Sequence, residues 1–337
     1  MDKSDSVLHE YFRRTRLPLA WKPLDMSNTL RIKKGVDIRL AGEPSLHCDN
    51  SPHPKVVAIQ PTDFHGLTPK LVVKEGSSVQ VGDALFYDKT FTTVMFASPV
   101  SGTVKEIVRG AKRRILAVTV ESDGANTARD FGPWNGGDRE SLVAHLAAGG
   151  VFGAMRQRPF DVLANPADTP RAIYVSGFDS APLAVDTALA VDGKIEHLQR
   201  GIDALGQLAG SGGVHVGLRQ GDNTLASLQG CTLTSFDGPH PSGNVSVQIH
   251  HTAPINKGEV LWTIGLQDVI NLGSFLQTGR YSADRVVALG GSEMVNPRHV
   301  RTIAGSQLCD IGVAAKEGAR IISGSVLTGI TAGKDGF

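Results

Sequence analysis

The amino-acid sequence predicts a multidomain α+β protein, and three patterns along the chain support this fold class. Short apolar runs separated by glycines fill residues 30–121, helix and strand patterns alternate over residues 138–236, and strand patterns return after residue 281. The 337 residues exceed the roughly 100–200 residues of one domain, so two or three domains are expected. The 39 glycines and 17 prolines predict many tight turns and more strand than long helix.

Composition and charge exclude several functional classes. Lys and Arg number 34 and Asp and Glu number 33, so we do not expect a nucleic-acid binder that depends on whole-chain charge. No run approaches the roughly 18 apolar residues of a membrane-spanning helix, and the N-terminus lacks the apolar core of a secretory signal. The three scattered cysteines, Cys48, Cys231 and Cys309, form no CxxC metal motif and predict a reducing, cytoplasmic setting.

Residues 1–28 differ in pattern from the rest of the chain, and we expect a poorly ordered N-terminal extension. Tyr11 and Phe12 precede a cluster of arginines, and residues 11–39 contain eight basic and two acidic side chains. The alternative interpretation is a basic, aromatic attachment to an anionic membrane surface, where each Lys or Arg contributes about 1 kcal/mol.

Residues 29–124 are predicted to form the first domain. Residues 72–86 and 96–104 alternate apolar and polar side chains, with glycines where tight turns are needed. These two segments resemble the halves of biotinyl and lipoyl carrier domains, which implies a barrel-sandwich hybrid. Lys89 lies about where a carrier bears its prosthetic group, but the flanking residues do not repeat a carrier motif. We therefore interpret Lys89 as part of a structural hairpin, with covalent modification as the alternative.

Residues 130–280 are predicted to form a layered α/β domain. Asp138 can cap a helix that ends at Gly149, and apolar residues at three- and four-residue spacing predict a second helix over residues 195–208. Strands are expected at residues 172–176, 214–218, 231–236 and 245–249. The last of these strands would direct His250 and His251 to opposite faces, so the two imidazoles could not share one metal ion without distortion.

Two segments of this domain are candidates for ligand binding. A glycine-rich loop at residues 149–154 leads into Arg156 and Arg158, and a polar turn at residues 236–243 contains the secondary candidates Asp237 and His240. Backbone amides and arginine side chains suit phosphate or carbonyl oxygens. The loop lacks the GxGxxG spacing of dinucleotide sites. No Ser/His/Asp, Cys/His or paired-carboxylate pattern stands out, so we assign no catalytic residue and no metal ligand.

Motifs spread over most of the chain indicate a family. They include RIKKGVDI at 31–38 and FGAMRQRPF at 152–160, and continue in order at 236–243, 260–264, 267–270, 285–292, 297–298 and 322–327. From about residue 30 onward the chain resembles the NqrA subunits of the bacterial sodium-translocating NADH:quinone oxidoreductases. More distantly it is similar to the RnfC subunits of the Rnf electron-transfer complex and to the flavin-bearing subunit of respiratory complex I.

The resemblance implies a peripheral subunit on the cytoplasmic face of the bacterial inner membrane. This subunit would assist electron transfer to ubiquinone at the step from ubisemiquinone to ubiquinol. Its partners would be the other subunits of the complex, which would handle NADH, the flavins and Na⁺. The resemblance implies no nucleic-acid partner, and the subunit would be inactive in isolation.

The more distant relatives cradle FMN with a GGAGFPTG-type loop and hold iron–sulfur clusters with sets of cysteines. At the corresponding place this chain has bulky Met155 and Arg156, where small residues would admit the flavin phosphate. Its three cysteines cannot ligate a cluster. The resemblance therefore implies a subunit that has kept the fold and lost both FMN and the clusters.

Two interpretations of the altered loop are open. In the first, it binds quinone, with Phe152, Met155 and Phe160 in apolar contact and Arg156 or Arg158 donating a hydrogen bond to a quinone carbonyl. In the second, the chain is a structural docking subunit without a ligand, and the arginines hold domain or subunit contacts.

Residues 281–337 resemble the soluble-ligand-binding β-grasp module of the same relatives. Strands are expected at residues 285–289, 299–303 and 320–322. Members of the family continue into a further C-terminal region, which we expect to be absent from this chain.

Overall fold

The computed structural model describes residues 29–332 and 336–337. The N-terminal extension expected at residues 1–28 lies outside these residues. The α-helices of the described ranges are α1 (Arg139–Ala148), α2 (Thr187–Val191), α3 (Ile195–Leu208), α4 (Val245–Thr252) and α5 (Leu266–Thr278). The strands are β1 (Thr29–Arg31), β2 (Ser45–Asn50), β3 (Val56–Ile59), β4 (Pro69–Leu71), β5 (Ser78–Val79), β6 (Ala84–Asp88), β7 (Met95–Ala97), β8 (Gly102–Arg109), β9 (Ile115–Ser122), β10 (Arg156–Arg158), β11 (Val162–Leu163), β12 (Ile173–Ser176), β13 (Val214–Arg219), β14 (Thr232–Asp237), β15 (Leu261–Thr263), β16 (Asp284–Leu289), β17 (Arg298–Ile303), β18 (Ile321–Ser323) and β19 (Ile330–Ala332).

Strands β3 to β9 build the barrel-sandwich hybrid. They form two antiparallel sheets, ordered β3-β9-β8-β5 and β4-β6-β7. Gly76 and Gly82 adopt positive φ angles of 82° and 91° at the turns on either side of β5, as the sequence pattern predicted. Lys89 follows β6 at the start of the hairpin to β7, and its side chain is exposed.

The α/β domain is built on a seven-stranded sheet in the order β1-β14-β13-β12-β15-β10-β11. The first five strands in this order, β1, β14, β13, β12 and β15, are parallel to one another. Strand β10 pairs antiparallel with β15, and β11 pairs antiparallel with β10. Strand order runs from β12 through β13 to β14 on one side, after which the chain returns and places β15 on the other side of β12. The predicted fold class, a multidomain α+β chain with these two domains, is confirmed.

Two helices of this domain, α1 and α3, form where the sequence predicted them. Asp138 accepts a hydrogen bond from the backbone N–H of Ser141 at 2.9 Å, which satisfies a free amide in the first turn of α1. Helix α3 buries its apolar side and packs against α5 on one face of the sheet. The apolar core is continuous from Phe86 and Phe96 of the barrel-sandwich to Phe152 and Trp262 of the α/β domain.

The strand predicted at residues 245–249 is wrong, because this segment is the start of helix α4. A connection between the parallel strands β14 and β15 has to cross over the sheet, and a helix does so. Val245 and Ile249 lie four residues apart and pack together beside Tyr174 and Leu261 on the sheet face opposite α3. Burial of this pair therefore outweighs the strand-like alternation of the local sequence.

The C-terminal sheet recruits a strand from the beginning of the chain. Strand β16 pairs antiparallel with β17, but the third strand of this sheet is β2, which runs parallel to β17. The third strand expected at residues 320–322 is observed as β18, but it pairs with β19 instead of joining β16 and β17. Strand β1 likewise joins the α/β sheet, so residues 29–50 link the two later domains.

Candidate functional site

A cavity of about 750 Å³ opens at the carboxyl ends of the parallel strands β12 and β15. This is the point at which strand order reverses, and open α/β sheets bind ligands in the crevice that such a reversal leaves. The segments after β12 and β15, the start of α4, the start of α5 and strand β10 line it. We call it the switch-point cavity.

Two arginines of β10 line one wall of the switch-point cavity. The Nη1 of Arg158 donates to the Oγ of Ser246 at 2.9 Å, and its Nε donates to the Oγ1 of Thr263 at 3.4 Å. The carboxylate of Asp161 lies 3.4 Å from Arg158 and 3.6 Å from Arg156. Burial lowers the pKa of Arg158, and the nearby negative charge of Asp161 opposes this shift. The wall thus presents two guanidinium groups that share one carboxylate.

Arg156 also reaches the first domain. Its Nη2 donates to the backbone carbonyl oxygen of Asp63 at 3.1 Å, between β3 and β4 of the barrel-sandwich. Burial raises the pKa of the Asp63 carboxyl group, and the charge of Arg156 opposes this shift. Arg156 therefore joins two domains as well as lining the cavity.

A partly buried ion pair lines the cavity on the side of the C-terminal domain. Arg285 of β16 donates to Asp268 in the first turn of α5, and the charge of Asp268 raises the pKa of Arg285. The remaining lining mixes hydroxyl groups, such as that of Ser176, with apolar side chains that include Phe178 and Ile264. This combination suits a flat, partly polar ligand with hydrogen-bond acceptors.

The sequence-predicted site residues fall into three environments. Phe152 and Met155 have no exposed surface and belong to the core, where Phe152 contacts Trp262 edge-to-face at 5.6 Å between ring centroids. Phe160 is 77% exposed and does not line the cavity. Of the five primary candidates, only Arg156 and Arg158 reach the switch-point cavity.

The two secondary candidates, Asp237 and His240, contact residues of the segment that follows β1 or β1 itself. Asp237 lies at the end of β14, where its carboxylate is 3.4 Å from the Nε of Arg31. His240 is paired through Nδ1 with the Oγ of Ser180 at 3.0 Å. Neither residue lines the switch-point cavity.

Side chains of the protein itself pack against the glycines of the loop at residues 149–154. A Cβ atom at Gly149 would collide with the ring of Phe275. A Cβ atom at Gly150 or Gly153 would lie 2.7 Å from Ala97 or Phe96, respectively. Gly150 and Gly153 therefore permit close packing against the barrel-sandwich, and Gly149 permits it against α5. A smaller cavity of about 140 Å³ remains beside the loop, and Gly150 and Gly153 are among its lining residues.

Several residues of the cavity had no signal in the sequence. Ser246 and Asp268 lie in the first turns of α4 and α5, and Thr263 lies at the end of β15. The local pattern could not show that these three positions meet. The reversal of strand order at β12 brings them together, and that reversal depends on pairing between distant segments. The alternation of strands and helices could have suggested a switch point in principle, but not its position.

Models of three domains of one family match most of this chain. The matches are to the NqrA N-terminal barrel-sandwich hybrid domain at residues 30–123, the NqrA second alpha/beta domain at residues 137–281, and the NQRA C-terminal domain at residues 286–334. The chain belongs to the NqrA family.

Curated NqrA proteins extend the match over the chain as a whole. The chain is 37% identical over 311 residues to the NqrA subunit of the Na(+)-translocating NADH-quinone reductase of Rhodopirellula baltica, covering 89% of this chain and 68% of the relative. It is 34% identical to the corresponding subunits of Teredinibacter turnerae and Serratia proteamaculans. Each match covers 89% of this chain, and 68% and 69% of the respective relatives. The names of these relatives describe subunits of an oxidoreductase complex.

A solved NAD⁺-reducing [NiFe]-hydrogenase shares 14% sequence identity with 46% of this chain and 34% of its own, at a TM-score of 0.34. Similarity at this level transfers neither fold nor function to this NqrA family member.

Among residues 29–332 and 336–337, no helix is both long and apolar enough to cross a bilayer. The same residues contain no group of three or more His, Cys, Asp or Glu side chains suited to a metal ion.

Proposed function

We propose that this chain acts in a Na(+)-translocating NADH-quinone reductase and assists electron transfer to ubiquinone, at the step from ubisemiquinone to ubiquinol. It would do so as a peripheral subunit on the cytoplasmic side, held by the other subunits of that complex. Family membership supports the assignment to the complex. The observation that carries the quinone role is the placement of Arg156 and Arg158 in the switch-point cavity.

The chemistry of this wall fits a quinone headgroup. A guanidinium donates hydrogen bonds and stays protonated, so it favours negative charge that develops on a quinone oxygen as electrons arrive. Arg158 is held by Ser246 and Thr263, so its donors are fixed before a ligand arrives. Phe178 and Ile264 would provide the apolar contact to the ring, in place of Phe152, Met155 and Phe160.

The proposal assigns no FMN and no iron–sulfur cluster to this subunit. The close packing at Gly149, Gly150 and Gly153 supports the first part, because Phe275, Ala97 and Phe96 occupy the space next to these glycines where a flavin phosphate would approach the backbone. The positions of the cysteines support the second. Cys48 lies on β2, Cys231 directly precedes β14, and burial raises the pKa of the Cys231 thiol to about 11, which disfavours the thiolate needed to bind iron.

The test replaces both arginines in the assembled complex, as Arg156→Ala with Arg158→Ala. We expect the KM for a soluble short-chain ubiquinone to rise about tenfold or more, because each lost donor weakens quinone binding. NADH oxidation by an artificial acceptor should stay unchanged. The matched control is Arg113→Ala with Arg114→Ala, two exposed arginines of the barrel-sandwich, for which both activities should be native. An unchanged KM in the cavity variant would contradict the quinone site.

A direct binding measurement complements the kinetics. Trp262 lies next to Thr263 of the cavity wall, so its fluorescence should respond to a soluble quinone added to the isolated chain. A saturable change at sub-millimolar quinone is expected for the native chain and not for the double arginine variant. No saturable response with the native chain would contradict a site on this subunit.

A second candidate function is a purely structural docking subunit with no ligand. The hydrogen bond from Arg156 to the backbone of Asp63 favours it, because it gives this arginine a role in joining domains. Under this interpretation the double arginine variant would fail to assemble with the other subunits. If the chain binds quinone, the double arginine variant assembles with the other subunits, and only the affinity of the complex for quinone changes.

A further inference from the structure

A stretch of the chain between β1 and β2 consists entirely of exposed residues although it is not a terminus. Residues 33–41 are nine consecutive exposed residues without regular secondary structure. We call them the basic–aliphatic segment, because Lys33, Lys34 and Arg39 alternate there with Val36, Ile38 and Leu40.

The fold holds the basic–aliphatic segment at both ends. Ile32, just before it, is buried against Phe178 and Phe236. The backbone N–H of Val36 donates to the carbonyl oxygen of His240 at 2.9 Å. At the other end, the N–H of Gly291 donates to the carbonyl oxygen of Gly42 at 2.9 Å. The segment is thus fixed on the surface, and its exposure is a property of the fold.

The aliphatic side chains of this segment are exposed to different extents. Val36 is 67% exposed, and Ile38 and Leu40 are 41% and 39% exposed. Leu46 on β2 and Val295 in the neighbouring loop add two more exposed apolar side chains beside the anchored end. The backbone N–H of Ser45 donates to the carbonyl oxygen of Pro297 at 3.2 Å, which keeps these two elements together. Several exposed aliphatic side chains in one short stretch of the surface make it a candidate interaction surface.

The charges of the segment are unbalanced. Lys33, Lys34 and Arg39 form no ion pair or side-chain hydrogen bond with any residue of the described ranges. The one acidic residue among them, Asp37, accepts a hydrogen bond from the backbone N–H of His240. The chain as a whole carries a net charge of only +1, so this local excess of positive charge is a feature of the segment.

We propose that the basic–aliphatic segment binds an anionic lipid bilayer surface, with Val36, Ile38 and Leu40 entering the interface and Lys33, Lys34 and Arg39 contacting lipid phosphates. Positive side chains beside exposed aliphatic ones are the combination that such a surface recognises. Charge complementarity favours this occupant over a neutral surface. The inference is independent of the quinone site, because no residue of the segment lines the switch-point cavity.

The test measures binding of the purified chain to phosphatidylcholine vesicles with and without about one third phosphatidylglycerol, by flotation, at low salt. The charge variant is Lys33→Gln, Lys34→Gln and Arg39→Gln, and the aliphatic variant is Val36→Ser, Ile38→Ser and Leu40→Ser. Two matched controls change exposed residues elsewhere. The charge control is Lys112→Gln, Arg113→Gln and Arg114→Gln, and the aliphatic control is Val326→Ser, Leu327→Ser and Ile330→Ser.

We expect the native chain and both controls to bind the anionic vesicles and to dissociate when salt is raised to about 0.5 M. Each lost charge should weaken binding about fivefold, so the charge variant, which lacks three charges, should bind about a hundredfold more weakly. The aliphatic variant should bind about tenfold more weakly. The proposal is overturned if the native chain does not bind at millimolar lipid, or if the controls lose as much affinity as the segment variants. It is also overturned if both segment variants bind lipid normally but no longer associate with other subunits, which would assign the surface to a protein partner. None of these outcomes depends on quinone affinity.

Discussion

The glycine-rich loop at 149–154 and the switch-point cavity are neighbours on the chain but differ in what fills them. Side chains from two other elements, β7 and α5, pack against the glycines of the loop and leave only a cavity of about 140 Å³ beside it. Two residues further on, Arg156 opens onto a cavity of about 750 Å³ with several polar groups in its lining. The loop has the sequence expected of a ligand site, yet the cavity has the geometry of one.

This difference shows that glycine serves two purposes that a sequence does not distinguish. A glycine permits close approach of a ligand, or it permits close approach of the protein's own side chains. Gly150 has a positive φ of 78°, as a phosphate-binding turn could have, but Ala97 occupies its open side. Packing between the barrel-sandwich and α/β domains selects the second purpose.

The largest expected effect comes from removing the aromatic ring at the centre of the loop. Phe152→Ala should lower the free energy of unfolding by about 3–5 kcal/mol, because a fully buried ring leaves a cavity in the core shared by two domains. Urea unfolding measures it. The control is Phe160→Ala, which should change stability by less than about 0.5 kcal/mol because that ring is exposed. Equal losses for the two variants would show that Phe152 is not a core residue.

An intermediate effect is expected from adding one carbon atom to the loop. Gly150→Ala should destabilise the protein by about 1–3 kcal/mol, from a strained positive φ and a clash with Ala97. Gly124→Ala is the matched control, since Gly124 has a φ of 72° and nothing within 4 Å of the added carbon. The cost at Gly150 should exceed the cost at Gly124 in thermal or urea unfolding. Equal costs would show that Ala97 does not restrict the space beside Gly150.

The smallest effect is on the pH dependence of stability. His145 of α1 lies against Trp134 and Phe275, and burial lowers its pKa. The folded state therefore binds a proton less readily than the unfolded state. The free energy of unfolding is fully retained above the ordinary pKa of about 6.5 and falls as the pH drops below it.

His145→Phe should remove this contribution, so urea unfolding at pH 5.5 and pH 7.5 should differ less than in the native chain. His251→Gln, at an exposed histidine near the end of α4, should leave the native pH dependence in place. A native slope in the His145 variant would mean that burial of this ring does not contribute to acid sensitivity.

Local patterns predicted a large part of the fold because they reflect local physics. The cap at Asp138, the apolar side of α3 and the turns at Gly76 and Gly82 need no distant partner, and the structure has all of them. The family motifs added the prediction of which family the domains belong to. The helix at Val245–Thr252 was missed because its apolar alternation satisfies a strand equally well until the crossover between β14 and β15 is known.

The candidate site was predicted only in part, for a physical reason. Arg156 and Arg158 were found because charged side chains beside a glycine-rich loop are visible in a sequence. Phe152 and Met155 were grouped with them by proximity along the chain, but they point into the core. Phe152 lies in a short 3₁₀ helix and Met155 at its end, whereas Arg156 and Arg158 lie on β10 and share one side of that strand. Nearness in sequence therefore does not imply a shared site.

The amino-acid sequence is enough to establish the composition of the chain, its three domain types and the family to which it belongs. The pairing of β1 and β2, the glycines that are closed by packing and the reversal of strand order that opens a cavity are known only from the folded structure. Helix caps, turns and apolar periodicity depend on neighbours a few residues apart, and the sequence displays them directly. Strand order and packing between domains depend on contacts between residues that lie far apart along the chain.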